Sequence, residues 1–206
     1  PGSPRVKYTD NKLCGQCHLP ATYDTPNHHH HPDDTQPGTK CVECHMPETT
    51  YMVVDPRRDH SIRIPRPDLT VSLDIPNACN GCHNDKSKGE TPQWAQAKCE
   101  EWYGPPKGPS HFAHAIAAGR RLKPEGHDLL VDVVRRKGTS AMVRASAISL
   151  LSRYRSGDAE AAALRGLEDP EALVRATAAR SLQDLVSGPD LVRRLVPVLR
   201  DPVRSV

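Results

Sequence analysis

The chain has 206 residues and a formal net charge of +3 at pH 7, with basic residues spread along it rather than clustered. This distribution does not suggest a nucleic-acid-binding surface, and no apolar run is long enough to span a membrane. Aromatic residues make up only 4% of the chain, and its first half is rich in Pro, Asp, Thr and Asn. That half is therefore expected to rely on a cofactor, a metal or disulfides for its core.

The first 90 residues are interrupted throughout by Pro and Gly, so we predict loops and single helical turns rather than long elements. Tyr51–Val54 is predicted to form a strand, and Val71–Ile75 a second, weaker one. The first regular helix is predicted over residues 92–103, because a Thr-Pro pair opens it and Gly104-Pro105-Pro106 ends it.

Six of the seven cysteines lie in three Cys-x-x-Cys pairs, and a histidine directly follows each pair. Cys-x-x-Cys-His is the attachment signature of c-type haem. The two thiols form thioethers with the haem vinyl groups, and the adjacent imidazole binds the iron from the same side. We therefore predict three haem c groups. The thioether residues are Cys14, Cys17, Cys41, Cys44, Cys79 and Cys82, and the proximal iron ligands are His18, His45 and His83.

Zinc sites and disulfides also use Cys-x-x-Cys pairs. Neither explains why a histidine takes the same adjacent position in all three motifs, or why eight further histidines are present. Haem is attached to such motifs outside the cytoplasm, so the mature chain is expected to be periplasmic or extracellular, with any signal peptide removed. Ionised haem propionates would bring the charge of the haem-loaded protein close to neutral.

Each iron has a second axial position, and the histidines outside the motifs supply candidates for it. The run His28-His29-His30-His31 lies in a Pro-containing coil and can serve two haems. His60 stands in a polar turn, where an unbound imidazole would have no packing role. His111 precedes a helix and is a further candidate, and Met52 is less favoured. Six-coordinate irons with His on both faces would be closed to substrates, which favours electron transfer.

From residue 110 onward apolar residues recur at helical spacing, and Met142–Leu151 matches Leu173–Leu182 at an offset of 31 residues. Asp201-Pro202-Val203-Arg204 begins a third copy that is cut or continues elsewhere. The Asp-Pro opening, the Val-Arg pair and the Ala-x-x-x-Leu pattern resemble short HEAT-like repeats, whose helix pairs stack into a solenoid. The arginines are interpreted as solvated or hydrogen-bonded within a repeat. Helices are predicted near residues 110–122, 125–137, 139–154, 158–167, 170–186 and 189–199.

Residues 12–120 resemble a family of bacterial multihaem cytochromes that often carry further haems upstream and a C-terminal HEAT or tetratricopeptide tail. The resemblance is carried by Thr50-Tyr51-Met52-Val53-Val54-Asp55-Pro56-Arg57-Arg58-Asp59-His60-Ser61, by Arg63-Ile64-Pro65-Arg66-Pro67-Asp68-Leu69 and by the third cysteine motif. In similar sequences a His-rich segment precedes the second motif, and its first and last positions are the most regular. The resemblance therefore implies His28 and His31, with His60, as distal ligands. It ranks His29, His30 and His111 below them.

The predicted fold is mainly α with much irregular structure. A loop-rich, haem-packed domain over residues 1–108 is followed by an α-helical HEAT-like solenoid over residues 109–206. Cys99, which is outside the motifs, is interpreted as a small buried residue within the helix at 92–103.

The favoured function is electron transfer through three closely spaced haems, with redox proteins or other cytochromes as partners and the repeats as a docking or assembly surface. One alternative is part of a multihaem oxidoreductase acting on nitrogen or sulfur oxyanions, which needs an open iron. Another is a subunit of a polymeric extracellular cytochrome wire. The surplus of histidines favours a carrier over an enzyme.

Overall fold

A computed structural model describes the protein at residues 8–32, 36–203 and 206. Its contacts divide the chain into two compact units, Pro1–Pro106 and Lys107–Val206. Within the described part the structure is mostly helical, and its strands form one two-stranded hairpin.

Short helices surround the cysteine motifs in the first unit, as the Pro- and Gly-rich sequence predicts. Proline occupies an initial position in several of them, where its missing N–H costs nothing. The longest helix of this unit, Pro92–Tyr103, has the predicted bounds. At its start the Thr91 hydroxyl accepts a hydrogen bond from the Trp94 amide. The helices are α1 (Asn11–Cys14), α2 (Pro20–Tyr23), α3 (Pro26–His29), α4 (Cys41–His45), α5 (Pro67–Leu73), α6 (Cys79–Cys82) and α7 (Pro92–Tyr103).

The first strand prediction is wrong in position. The strands are β1 (Glu48–Tyr51) and β2 (Asp55–Arg58), which pair antiparallel with Glu48 opposite Arg58. Met52 and Val53 lie in the connecting turn with φ values of 52° and 71°, and their side chains are largely exposed. A hairpin needs positive φ at its turn, so the pairing of the flanking segments overrides the β-propensity of these residues.

The second strand prediction is also wrong, because Val71 and Leu73 lie in α5. Pro67 begins this helix. The negative charge of Asp68 in the first turn interacts favourably with the positive end of the helix dipole and so stabilises the helix start. The start signals four residues upstream therefore decide the conformation of this short apolar run.

The two units bury very different amounts of apolar side chain. Among the described residues, the first unit buries the hydrophobic side chains of Leu69 and Ala95, whereas the second buries fifteen, most of them in two clusters. In the first unit Leu19, Ile62 and Ile64 are 70%, 69% and 76% exposed. Protein side chains alone therefore give this unit almost no core.

The second unit is a stack of helices, and all six helices predicted there are confirmed. Consecutive helices pack together, and alternate helices also touch, which is the contact pattern of a solenoid. Two of them continue into 3-10 turns, Ser152–Tyr154 and Val196–Arg200. The helices are α8 (Phe112–Arg120), α9 (Pro124–Arg135), α10 (Ala141–Leu151), α11 (Gly157–Gly166), α12 (Ala172–Leu185) and α13 (Gly188–Leu195).

The Val-Arg pair of each repeat has a role that the sequence interpretation missed. Arg144 makes two hydrogen bonds to Asp169, at 2.9 and 2.8 Å, and Arg175 makes two to Asp201, at 2.6 and 2.9 Å. Both arginines therefore bind the Asp-Pro opening of the following repeat. The predicted hydrogen bonds within a repeat are also present, since Arg144 donates to the Thr139 carbonyl and Arg175 to the Asp169 and Pro170 carbonyls. Burial alone would raise the pKa of Asp169, but hydrogen bonds from Arg144 and the Glu171 amide, together with the charges of Arg144 and Arg175, hold it below the usual range. Arg204 of the third copy lies outside the described residues.

Gly166 allows α11 and α12 to approach closely, since a Cβ there would lie 2.8 Å from the Ala178 Cβ and 3.0 Å from the Ile148 Cδ1. We expect Gly166→Ala to destabilise the second unit by about 1–3 kcal/mol through overpacking. The matched control is Gly157→Ala, because a Cβ at that position meets nothing within 4 Å. Urea unfolding followed by circular dichroism measures both. Equal stability of the two variants would contradict the close packing.

The difference in buried core leads to a second prediction. A fragment of residues 107–206 should unfold cooperatively on heating, because its helices bury a continuous core. A fragment of residues 1–106 made in the cytoplasm, where haem is not attached, should show no cooperative transition, because it cannot offset its ordering entropy. Thermal melts recorded by circular dichroism test both fragments. A cooperative melt of the first fragment would show that it needs no bound group as its core.

Candidate functional site

Each Cys-x-x-Cys-His motif forms a single helical turn. The second motif is the helix α4, and in the other two the histidine amide donates to the carbonyl of the first cysteine. The His18 amide lies 3.0 Å from the Cys14 oxygen, and the His83 amide 2.8 Å from the Cys79 oxygen. Residues three apart on a helical turn share a face, so the two sulfurs of each motif project together.

The cysteines of different motifs lie close to one another. All seven are free thiols. The Cys41 thiol is within hydrogen-bonding reach of Cys14, and the charge of Cys79 is close enough to influence Cys44. Burial, assisted by these neighbours, raises the pKa of Cys41 and of Cys44 to about 11. The three motifs therefore form one compact group within the first unit.

Asn11 connects the first motif to the second, which the sequence analysis did not foresee. Its side-chain oxygen accepts a hydrogen bond from the Cys41 amide at 2.8 Å. Its amide nitrogen donates to the Thr39 carbonyl at 2.9 Å and to the Asp24 carboxylate at 2.6 Å. A side chain in α1 thus positions the start of α4.

Two histidines of the four-histidine run lie opposite histidines of the motifs. The ring centroids of His28 and His45 are 6.2 Å apart, and their planes are within 10° of parallel. Those of His31 and His83 are 6.1 Å apart with an angle of 34°. Burial and the neighbouring His45 lower the pKa of His28, which favours the neutral imidazole that can bind a metal.

In four of the predicted ligands a hydrogen bond at Nδ1 leaves Nε2 available to bind a metal. Each acceptor is a backbone carbonyl or a carboxylate, so Nδ1 carries the proton and Nε2 keeps its lone pair. The pairs are His31 with the His29 carbonyl at 2.6 Å, His45 with the Arg63 carbonyl at 2.7 Å, His60 with the Arg58 carbonyl at 2.8 Å, and His83 with the Glu90 carboxylate at 3.3 Å.

Two lower-ranked candidates favour the opposite tautomer. The His29 Nδ1 accepts a hydrogen bond from the His31 amide at 3.2 Å. The His111 Nδ1 accepts one from the Ala113 amide at 3.2 Å and thereby caps α8. A lone pair on Nδ1 places the proton of the neutral ring on Nε2, so neither ring presents Nε2 to a metal.

The first motif has no opposing imidazole within the described part of the chain. The His18 ring meets the edge of Tyr23 at 5.6 Å, and Tyr23 in turn meets His28 at 5.3 Å. Among the described residues, the His60 ring contacts no other imidazole. Met52 lies exposed in the hairpin turn. The structure thus forms two of the three expected imidazole pairs.

Two histidines of the second unit, His114 and His127, are half-buried. The Nε2 of His127 lies 2.8 Å from the Ser156 hydroxyl, and its Nδ1 lies 2.7 Å from the Asp128 carboxylate. The Nε2 contact joins α9 to the start of α11, whereas the Nδ1 contact lies within α9.

One face of α7 packs against the motifs. The sequence analysis gave no residue of this face a part in the candidate site. Trp94 lies 5.0 Å from the His83 ring, and Trp102 stacks on His30 at 3.9 Å. Cys99, half-buried, hydrogen-bonds to Cys79 and lowers the pKa of that thiol to about 7. The i, i+4, i+7 spacing of Ala95, Cys99 and Trp102 is the signal that predicts a shared face.

The His31 ring lies 6.1 Å from the rings of both His29 and His83. In the part of the chain that the structure describes, no three His, Cys, Asp or Glu side chains are grouped so as to hold a metal ion. A zinc site needs about four such ligands around one ion, so the zinc alternative gains no support from these residues.

Comparison with known protein families gives a match to part of the second unit. Residues 128–206 match the family model of HEAT repeats, which agrees with the helix stacking and the internal repeat. No curated protein and no solved structure matches the chain. HEAT repeats commonly mediate protein–protein interaction. None of the described helices is both long and apolar enough to cross a membrane.

Proposed function

We propose that the protein transfers electrons through three haem c groups attached to its first unit. The observation that carries this proposal is the set of three single-turn Cys-x-x-Cys-His motifs grouped in a unit that buries almost no apolar side chain. In each turn the two thiols project together and the histidine follows at once, which suits attachment to one haem edge and ligation of its iron.

The paired imidazoles support the proposal because their separation fits an iron between them. A metal–imidazole nitrogen bond is about 2 Å, so two imidazoles on opposite faces of one iron have ring centroids about 6 Å apart. The pairs His28–His45 and His31–His83 have this separation, at 6.2 and 6.1 Å. The porphyrin supplies the other four nitrogens, so pairs of protein ligands suffice.

Bound haem supplies a reversible one-electron couple between ferric and ferrous iron. The six motif cysteines would hold the haems covalently, and the motif histidines with His28, His31 and His60 would hold their irons, which would keep substrates off the metal. Exposed Leu19, Ile62 and Ile64 provide apolar surface for the haem faces. Because the motif cysteines adjoin one another, the haems would lie close together, as electron passage between them requires.

The resemblance of residues 12–120 to bacterial multihaem cytochromes favours the same function and a periplasmic or extracellular location. On this proposal the partners are redox proteins or other cytochromes. The HEAT repeats would then supply a docking surface for them or for self-assembly into a polymeric wire.

A second candidate, part of a multihaem oxidoreductase, is favoured by one observation. His18 faces no second imidazole in the described structure, and the Tyr23 ring lies beside it. An iron with an open axial position and a phenol nearby could bind a small oxyanion, whereas ligation by His60 would close that position.

Intact mass after acid denaturation tests the number of covalent haems. We expect the polypeptide to carry three haems, because thioether bonds survive denaturation. The double variant Cys79→Ser/Cys82→Ser should carry two, and Cys99→Ser, which lies outside the motifs, should keep three. The mass of the bare chain, or zinc found by elemental analysis, would rule the proposal out.

Spin state tests the axial ligands. We expect three low-spin irons that do not bind carbon monoxide, because the two imidazole pairs would close two irons and His60 would close the third. His60→Ala should convert one of the three irons to a high-spin form that binds carbon monoxide, whereas the control His114→Ala should change nothing. If the unaltered protein already binds carbon monoxide at one iron and His60→Ala has no effect, the carrier assignment fails for that haem and the oxidoreductase candidate gains.

A further inference from the structure

Resting on the proposed haem attachment and on the two imidazole pairs above, we infer that His30 orients the segment His28–His31 so that its two ends reach different irons. His28 completes the site of His45, and His31 completes the site of His83. His30 is the positioning residue that keeps these two ligands directed to different irons.

The backbone of the segment separates the two ligands. The helix α3 ends at His29, and His30 adopts the left-handed conformation with φ 57° and ψ 25°. Residues three apart on a continuous helix would share a face. The turn at His30 instead allows His28 to reach the ring of His45 and His31 to reach that of His83.

The helix α7 contacts the segment at this turn and just before it. The His30 ring stacks on Trp102 with centroids 3.9 Å apart and planes within 9°, and it meets the edge of Tyr103 at 5.5 Å. The Tyr103 hydroxyl donates a hydrogen bond to the His28 carbonyl. His30 therefore contributes its ring face to packing. Its buried Nε2 has no hydrogen-bond partner among the described residues, so hydrogen bonding at that nitrogen does not explain its position.

His31 is confined by the second motif although it faces the third. A Cβ at Gly38 would lie 2.5 Å from the His31 Nε2, so only glycine leaves room for the ring, and Gly38 also has a φ of +94°. The Gly38 amide donates to the Glu43 carboxylate at 2.7 Å, and Glu43 belongs to α4. The segment and the two motifs thus form one interlocked group.

Ligand variants of the haem-loaded full chain test the pairing. His28→Ala and His31→Ala should each open one iron to carbon monoxide, and the double variant should open two. The matched control is the neighbouring His29→Ala, which should open none. In a chain whose second motif is removed by Cys41→Ala/Cys44→Ala, His28→Ala should have no further effect, whereas His31→Ala should still open one iron.

The positioning role needs a different set of variants. His30→Ala should keep three haems but give partial carbon monoxide binding at two irons, because the segment loses its anchor. His30→Phe and Trp102→Phe keep an aromatic stack and should restore the low-spin spectrum, whereas Trp102→Ala should behave like His30→Ala. Electron paramagnetic resonance of the oxidised protein reports the low-spin fraction, and potentiometric titration follows the potentials of the affected irons.

The outcomes separate this inference from the proposed function. Loss of one whole iron site in His30→Ala without rescue by His30→Phe would make His30 a ligand and overturn its positioning role. Unchanged spectra in His28→Ala or His31→Ala, in a chain whose mass still shows three haems, would overturn the pairing and leave electron transfer standing. A mass without haem would overturn both.

Discussion

A single helical turn links each cysteine pair to the histidine that follows it, and the first unit is arranged around three such turns. Within each turn the sulfurs share a face, so the turn presents a ready attachment edge. The remaining contacts of the unit bring the turns together through Asn11 at the first and second motifs, and through Gly38 and Glu43 beside His31. Under the proposed function this arrangement places the haems where side chains would otherwise form a core.

The two units differ in what stabilises them. In the second unit Ala and Gly allow helices to approach closely, and the Arg144–Asp169 and Arg175–Asp201 pairs join each repeat to the next. This unit therefore has a core of its own. The first unit leaves large apolar side chains exposed, which is consistent with a cofactor that supplies the missing buried area.

The helix α7 is the element on which the candidate site most depends, although it carries no predicted ligand. It places Trp94 against His83, Cys99 against Cys79 and Trp102 against His30. Aromatic rings offer a large apolar contact at a small cost in conformational entropy, so a few of them can orient a segment that is otherwise rich in Pro and polar residues. The orientation of the histidine run thus follows from packing some seventy positions away in sequence.

The sequence by itself determined the elements that depend on local patterns. These are the motif turns, the bounds of α7 and the repeat helices, because caps, proline positions and apolar periodicity act within a few residues. Tertiary structure decided the rest. Four adjacent histidines have the same local propensities, and the resemblance only ranked them, so it is tertiary packing that brings the His28 and His31 rings opposite those of His45 and His83. Strand pairing likewise placed Met52 and Val53 in a turn against their propensity, and packing between repeats, which periodicity cannot reveal, paired the arginines with distant aspartates.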